Sequence, residues 1–416
     1  MTNTNQHIRT GYKPSPLGPI PENWEVNRLG EIGNFSKGNG VPKDKIISKG
    51  YPCLTYGDLY TKYDFVIKNI KSFIDEETSK ESKEINAGDI CFAGSGETPE
   101  DIGKCAAYLE NYPAYAGGDI VILSPNNNIN SLWLSYLLNS DIGGKQRYKF
   151  AQGFSIVHIY PDNLKQIQIP VPPLPEQQRI VSVLSLWDAA IAKQTALIEK
   201  LTLRKRGLMQ QLLTGKKRLK GFEGEWKRIP IKDFAKEVSI RNSNRDDYIV
   251  LSCTKYDGLV PSLEYFGKQI YSDDLSSYKI IPQGHFAYAT NHIEEGSIGY
   301  QSKYEQGLIS PMYTVFITDR KRVDDTFLFA VFKSHHLIHL YKSMMEGSIN
   351  RRGGLRWDSF STIKINLPSL VEQTAIASVL VEADKEIEIA NKKLARLQEE
   401  KKGLMQVLLT GKRRVK

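Results

Sequence analysis

Cysteine is scarce in this chain, with four residues among 416 (Cys53, Cys91, Cys105 and Cys253) and no CxxC pair. This spacing excludes a disulfide framework and a cysteine-rich zinc site, and it indicates free thiols. No uninterrupted apolar run approaches the roughly 20 residues that span a bilayer. The polar N-terminal segment also lacks the apolar core of a signal peptide. We therefore expect a cytoplasmic protein without a membrane partner.

Motifs for common catalytic chemistries are also missing. GxxxxGK[ST], Asn-Pro-Pro-aromatic, GxSxG and HExxH do not occur, which argues against a P-loop ATPase, an amino-methyltransferase of that type, a serine hydrolase and a zinc protease. Asp75, Glu81 and Lys83 loosely fit the Asp…Glu-x-Lys spacing of magnesium-dependent nucleases, so an autonomous nuclease is the alternative function. The group His335-His336-x-x-His339 could present two imidazoles to zinc. It has no carboxylate or thiol partner nearby in sequence. We predict no catalytic and no metal-binding residues.

Positive charge exceeds negative charge, with a net charge of +9 and a pI near 9.0. Basic clusters occur at 204–206, 216–218, 351–352 and 412–414. Lysine and arginine gain free energy on neutralising phosphates because counterions are released. The composition therefore favours a polyanionic partner such as nucleic acid.

The chain contains a long internal repeat. GLMQQLLTGKKR at Gly207–Arg218 returns as GLMQVLLTGKRR at Gly403–Arg414, an offset of 196 residues (403 − 207). A repeat of nearly half the chain predicts one unit written twice, with two lobes related by a pseudo-twofold axis. The predicted segments are an N-terminal arm (1–20), a first globular block (21–165), a central repeat helix (166–220), a second globular block (221–362) and a C-terminal repeat helix (363–416).

Both repeat helices carry apolar residues at alternating steps of three and four, which is a heptad seam. The seam residues are Leu184, Trp187, Ile191, Ile198, Leu201, Leu208, Leu380, Ile387, Leu394, Leu397 and Leu404. Two matching seams predict a pair of long antiparallel coiled-coil helices, each about 58 Å long for 39 residues. The globular blocks combine short strands with few helices. The expected fold class is mixed α/β (α+β), with two globular domains separated by the helix pair.

Turns and basic segments at matching places in the two blocks are candidates for DNA contact, because their side chains suit phosphates and base edges. In the first block the candidates are Ser95, Gly96, Thr98, Lys145, Arg147, Lys149, Gln152 and Ser155. In the second block they are Thr290, Asn291, His292, Asn350, Arg351, Arg352 and Arg356. We expect the segments 143–149 and 347–354 to be flexible loops.

Three features together resemble the specificity subunits of Type I restriction–modification systems. They are the entry YKPSPLGPIPENW at Tyr12–Trp24, both Leu-x-Glu-Gln helix entries and both Leu-Leu-Thr-Gly-Lys helix ends. The resemblance covers essentially the whole chain. It implies a non-catalytic subunit with two target-recognition domains, each reading one half of a split sequence in double-stranded DNA.

The same resemblance implies that the helices space the two domains and dock two modification (methyltransferase) subunits. Those partners would carry S-adenosylmethionine, and restriction subunits would bring ATP, Mg²⁺ and the nuclease. No cofactor is then expected in this chain. Besides the nuclease alternative, a coiled-coil scaffold without DNA binding remains open at this point. At the second helix entry, Val371 stands where the first copy has Pro175, which predicts an altered local backbone there.

Overall fold

The computed structural model describes residues 9–153, 156–346 and 354–415. The chain divides into two compact units. The first unit comprises Met1–Thr195 with Lys392–Lys416, and the second unit comprises Ala196–Asn391. Each long helix therefore contributes one half to each unit.

The elements of the first globular part follow in chain order. The strands are β1 Tyr12–Lys13, β2 Ile20–Pro21, β3 Glu25–Arg28, β4 Gly33–Lys37, β5 Tyr51–Leu54, β6 Val66–Ile67, β7 Phe73–Ile74, β8 Lys83–Ile85, β9 Ile90–Ala93, β10 Ser95–Gly96, β11 Cys105–Tyr108, β12 Ala114–Ala116, β13 Ile120–Pro125, β14 Val157–His158 and β15 Gln168–Val171. The helices are α1 Tyr56–Thr61, α2 Glu76–Glu81, α3 Ser131–Leu138, α4 Asp141–Lys149, α5 Pro161–Leu164 and the long helix α6 Leu174–Leu212.

Two sheets organise the first unit. One has the strand order β4-β13-β9-β11-β6, antiparallel except for the β11–β6 pair, and the other has the order β7-β5-β12-β8. The strands β9 and β11 are buried along their whole length, so they read as short continuous apolar runs without alternation. The core packs this sheet against Trp24, Trp133, Ile180 of α6 and Leu408 of the second long helix. The helix ends are thus part of the globular core.

The elements of the second globular part follow the same plan. The strands are β16 Lys227–Pro230, β17 Ala235–Val238, β18 Ile240–Arg241, β19 Leu251–Thr254, β20 Gly258–Pro261, β21 Lys279–Pro282, β22 Phe286–Ala289, β23 Ile298–Tyr300, β24 Gln306–Ile309, β25 Tyr313–Thr318 and β26 Lys364–Leu367. The helices are α7 Ser262–Phe266, α8 Asp325–Phe332, α9 His335–Glu346, α10 Trp357–Phe360 and the long helix α11 Leu370–Leu408.

The main sheet of the second unit has the order β17-β25-β22-β23, which matches β4-β13-β9-β11 of the first unit. Its core is aromatic, because the rings of Phe286 and Phe360 each contact those of Phe316 and Phe332. Leu380 of α11 belongs to the same cluster. The repeat seen in the sequence is therefore a repeat of strand order as well.

Within each unit, the ion pairs show that the halves of α6 and α11 run antiparallel. Residues further along the α6 segment pair with residues earlier in the α11 segment. In the first unit Lys401 Nζ lies 2.5 Å from Asp188 Oδ1. In the second unit Lys205 binds Asp384. Adding 196 to Asp188 and Lys205 gives Asp384 and Lys401, so the two ion pairs are copies of one contact.

The predicted seam residues are buried or half-buried, each within its own unit. These are Leu184, Trp187, Ile191, Ile198, Leu201, Leu208, Leu380, Ile387, Leu394, Leu397 and Leu404. Off the seam, Leu186 is 71%, Leu203 63% and Ile389 67% exposed. The predicted fold class is confirmed: the chain is mixed α/β, internally repeated, and carries a pair of long antiparallel helices. Both helices have the predicted 39 residues.

One local prediction is wrong. The segment 143–149, expected as a flexible basic loop, forms most of α4. Its two glycines suggested a loop, but Gly143 permits a close approach, since an added Cβ would lie 2.2 Å from the carbonyl oxygen of Leu138. Glycine at this point therefore lets the first turn of α4 lie against the last residue of α3. The segment 347–353 lies outside the described residues.

Among the described helices, α6 alone contains an 18-residue stretch apolar enough by composition to cross a bilayer, with a mean hydropathy of 1.2 for that stretch. Its apolar stripe faces α11 or its own globular core, and Asp188 within it is ion-paired to Lys401. Packing of an amphipathic helix accounts for the seam residues, whereas Leu186 and Leu197 of the same helix are exposed. The four cysteines are free and buried, and burial raises the pKa of Cys53, Cys105 and Cys253 to about 12.

Candidate nucleic-acid interface

One backbone contact recurs at the loop that follows the central strand of each main sheet. We call residues 94–104, after β9, the first strand-end loop, and residues 290–297, after β22, the second strand-end loop. The Ile159 N–H donates to the Gly94 carbonyl at 3.0 Å, and the Leu355 N–H donates to the Thr290 carbonyl at 2.8 Å. Both residues of the second pair are offset by 196 from the first. The two units therefore hold these loops on the same backbone frame.

In the first strand-end loop, the predicted contact residues Ser95 and Gly96 are buried and form β10 against β14. The Ser95 hydroxyl lies 2.9 Å from His158 Nδ1, and the Tyr60 hydroxyl donates to the Ser95 carbonyl at 3.1 Å. They build the frame and do not present side chains to solvent. Thr98 is exposed, and its hydroxyl donates to Asp101.

Helix α4 presents Lys145 and Lys149 to solvent but buries Arg147. The Arg147 Nε donates to the Ile102 carbonyl at 3.0 Å, and its Nη1 donates to the Leu138 carbonyl. Burial lowers the pKa of this guanidinium below its ordinary value. Arg147 was predicted as a DNA contact because of its charge, and the structure places it inside the unit.

A groove of about 880 Å³ runs beside α4. Its lining includes Lys104, Lys145 and Lys149, and also the acidic Glu100 and Asp101. The lysines offer ammonium groups to a phosphate, while the carboxylates restrict where a polyanion can lie. Of the remaining predictions in this region, Gln152 is exposed and its backbone pairs with His158, and Ser155 lies outside the described residues.

In the second unit, Asn291 and His292 are exposed on the second strand-end loop. Thr290 is half-buried, and its hydroxyl lies 3.0 Å from the Met312 carbonyl and 2.9 Å from the Asn291 side chain. Arg356 is exposed at the residue before α10. The Leu355–Thr290 bond brings the backbone that precedes Arg356 next to the second strand-end loop. Asn350, Arg351 and Arg352 lie outside the described residues.

Several exposed side chains around these loops were missed by the sequence interpretation. Tyr160, 47% exposed, precedes α5 and is the counterpart of Arg356 at the same offset (356 − 160 = 196). Tyr256, 78% exposed, lies beside the second strand-end loop with Lys255 over its ring at 5.3 Å. Applying the offset to every candidate would have found Tyr160. No sequence signal pointed to Tyr256.

The carboxylates considered for a nuclease have structural positions. Asp75 caps the N-terminus of α2 by accepting the Thr78 N–H at 2.8 Å, and hydrogen bonds from the Thr78 side chain and backbone lower the pKa of Asp75. Glu81 ends α2 and Lys83 begins β8, both exposed.

Elsewhere, His335, His336 and His339 are exposed on α9. His292, Glu294 and Glu295 place possible ligand atoms within 4.8 Å of one another. The His292 and Glu295 side chains are 63% and 55% exposed and 3.9 Å apart, as expected for a pair on a solvated turn.

The repeated helix ends form internal junctions. In the first unit Arg414 binds the buried Glu176, with one N–O distance of 2.6 Å, and Trp24 Nε1 donates to the same carboxylate at 3.0 Å. In the second unit Arg218 binds the buried Glu372, again with a 2.6 Å bond. Bidentate arginine–carboxylate pairs combine strength with a fixed geometry. They join each helix end to the start of the other helix.

The neighbouring glutamines repeat as well. Gln177 accepts the backbone N–H of Asn130, and Gln373 accepts that of Asp324, the residues that cap α3 and α8. Both glutamines are fully buried and donate to the carbonyl of Pro172 or Pro368. The Glu-Gln pair at each helix entry therefore couples the long helix to the globular part of its unit.

Comparison with known proteins adds to this geometry. The family model described as Type I restriction modification DNA specificity domain matches residues 21–203 and 224–399. The chain belongs to this family. It is a non-catalytic DNA specificity subunit of a Type I restriction–modification system, and nothing supports the nuclease alternative.

Two relatives match over nearly their whole length, both from Methanocaldococcus jannaschii. The chain is 26% identical to the specificity subunit of the type I enzyme MjaVIII, covering 95% of this chain and 94% of the relative. It is 30% identical to a specificity subunit provisionally assigned to the type I enzyme MjaX, covering 97% of each.

Two solved structures share the fold. The S subunit of a type I system from M. genitalium has a TM-score of 0.55 at 15% identity, covering 93% of this chain and 96% of that one. A chain from a structure on complex assembly and conformational transition of the type I R-M system has a TM-score of 0.60 at 16% identity, covering 94% and 99%. At these identities the likeness concerns the fold alone.

Proposed function

We propose that this subunit reads a bipartite sequence in double-stranded DNA, with the globular part of each unit recognising one half. The reading domains would correspond to the predicted segments 21–165 and 221–362. The carrying observation is that the strand-end loops share one backbone frame and present different side chains. Two domains that recognise different DNA sequences require a common backbone frame with different side chains.

The counterpart positions illustrate this difference. Where the first unit exposes Tyr160, the second exposes Arg356. An arginine can bind guanine O6 and N7 with two hydrogen bonds in the major groove, whereas a tyrosine offers one hydroxyl and an apolar ring. The buried Ser95 of the first loop likewise has the exposed Asn291 as its counterpart. Lys145 and Lys149 are suited to phosphates, which position the protein without reading sequence.

The long helices would dock two modification subunits, with restriction subunits completing the complex. Leu186, Leu203 and Ile389 support this, because they are largely exposed on the helices and lie off the seam. S-adenosylmethionine, ATP and Mg²⁺ would be bound by those partners, in the cytoplasm. The helix pair would also set the gap between the two half-sites, roughly one to two DNA turns of about 34–36 Å each.

Selection from a pool of randomised duplexes tests the reading function. The full chain, assembled with its modification subunits, should enrich two specified blocks separated by a gap of constant length. Affinity should fall steeply with salt, because phosphate contacts release counterions. Enrichment of one contiguous block, or of no sequence at all, would contradict the proposal.

A matched pair of substitutions tests the docking surface. Leu203→Glu places a charge on the exposed face of α6 and should weaken binding of the modification subunit in sedimentation. Leu263→Glu is the control, since Leu263 is similarly exposed at 54% but lies on the short helix α7. Equal binding by both variants would remove Leu203 from the docking surface.

A further inference from the structure

We propose that Arg147 and Lys333 are positioning residues that hold the two strand-end loops in their reading conformation. Neither would touch DNA. Each is an inward-facing cation whose donors go to backbone carbonyl oxygens of the loop or of the segments beside it. The inference rests on the proposed reading function of these loops.

In the first unit the cation comes from the middle of α4. Arg147 is 5% exposed and links two carbonyls, that of Ile102 in the first strand-end loop and that of Leu138 at the end of α3. The loop is packed closely on this side chain, since a Cβ added to Gly103 would lie 2.8 Å from Arg147 Cδ. The guanidinium therefore fixes the loop relative to a helix of the core.

In the second unit the cation is Lys333, the C-cap residue that follows α8. Lys333 Nζ donates to the carbonyls of Gly296 at 2.7 Å, Lys255 at 2.9 Å and Thr254 at 3.1 Å. An ammonium has three hydrogens, so these bonds account for all of them. Gly296 lies in the second strand-end loop, and Lys255 precedes the exposed Tyr256. Lys333 thus joins two neighbouring turns whose side chains face solvent.

The two cations are not copies of one another. The counterpart of Lys333 at the 196-residue offset is Leu137, and that of Arg147 is Ser343. Burial disfavours the charged form of both and lowers both pKa values. Two unrelated positions therefore supply the same kind of cation–carbonyl contact to the equivalent loop of each unit. Desolvation of the cation makes this contact costly in both units. The two loops differ in sequence, but each must be rigid because base discrimination depends on fixed geometry. This requirement gives a reason for a positioning cation in both units.

The experiment uses the full chain assembled with its modification subunits and the pool of randomised duplexes. Arg147→Met and Lys333→Met keep the length of the side chain and remove its donors. A mismatched base pair ordinarily reduces affinity by a factor of roughly 5 to 150. Lys333→Met should reduce that factor below about 5 in one half of the target only, and Arg147→Met in the other half only.

Affinity for a duplex without the target, and its dependence on salt, should stay unchanged in both variants. A general loss of structure would instead weaken both halves and non-specific binding together, which would overturn the inference. Arg147→Lys and Lys333→Gln retain part of the donor set and serve if a Met variant does not fold. They should show the same one-sided loss to a smaller degree, and unchanged discrimination would overturn the inference.

The wild-type complex distinguishes failure of the proposed reading function from failure of the positioning role. If it selects no sequence, the proposed function fails and the inference fails with it. If it selects a two-part target and both variants keep full discrimination in both halves, the positioning role alone is refuted.

Discussion

At the helix ends the two units have the same residue types and the same contacts. Arg414 binds Glu176 in the first unit, and Arg218 binds Glu372 in the second. At the strand-end loops they share only the backbone bond, and the exposed side chains differ. Repetition in this chain therefore marks contacts that both units need internally. Divergence on a repeated frame marks the surface that we propose reads a different sequence in each unit.

The copied ion pair sharpens this comparison, because its two versions lie in different surroundings. Lys401 is 6% exposed and lies over the rings of Phe65 at 3.9 Å and Tyr136 at 4.9 Å, whereas Lys205 is 27% exposed. Burial lowers the pKa of Lys401, and the Asp188 carboxylate opposes that shift. The same two residues thus form a buried junction in one unit and a partly solvated pair in the other.

The largest expected effect follows from removing the carboxylate of each pair. Asp188→Asn should destabilise the first unit by about 2–4 kcal/mol, because it leaves the buried Lys401 ammonium without its counter-charge. Asp384→Asn should cost at most about 1 kcal/mol, since Lys205 can be hydrated. Hydrogen exchange of amides in each unit measures both. Equal losses would show that the aromatic surroundings do not matter.

The next effect concerns the reading surface. Tyr160→Ala and Arg356→Ala should each relax base preference in one half of the target, by about 1–3 kcal/mol for each position read. The reason is that the counterparts Tyr160 and Arg356 lie in different units, each directly after the residue that bonds to the strand-end loop. Sequencing of duplexes selected by each complex is the measurement. A variant that relaxes both halves would contradict the assignment of one half to each unit.

A smaller difference should separate the two tryptophans at the junctions. Trp24 Nε1 donates to Glu176, while Trp226 Nε1 is buried and has no hydrogen-bond partner among the described residues. Trp24→Phe should therefore be less stable than Trp226→Phe by about 1–2 kcal/mol, the difference made by one bond to a charged acceptor. Urea unfolding followed by circular dichroism compares the two, and the reverse order would refute the junction geometry.

The smallest effect is the titration at high pH of the half-buried Tyr60 and the buried Tyr63. Burial raises the pKa of Tyr60 and Tyr63 to about 12, above their ordinary value of 10.0. A raised folded-state pKa contributes stability that is complete below pH 10 and is lost as the pH rises from 10 towards 12. Tyrosinate absorbance should show a late step that coincides with loss of helical circular dichroism. A single step near pH 10 would contradict the buried assignment.

The sequence predicted the long-range plan well because that plan depends on periodicity and repetition. The seam of Leu184 and its companions, the antiparallel pairing and the strand-rich blocks all follow from such patterns. Local geometry at the candidate interface was less predictable. Ser95 and Arg147 looked like surface contacts because their side chains are polar, but burial depends on tertiary packing. The Gly94–Ile159 bond joins residues 65 apart in the chain, so no local pattern announces it.

The claim that the copied contacts pair the two long helices, while each globular part reads one half-site, is tested with half of the chain, ending at Lys220. That half contains both members of each copied contact, namely Glu176 with Arg218 and Asp188 with Lys205, so two copies can form the junctions that α6 and α11 form in the whole chain. Sedimentation and duplex selection with the modification subunits should give a dimer that reads a symmetric target built from one half-site. A strictly monomeric half-chain, or an asymmetric target, would contradict the account.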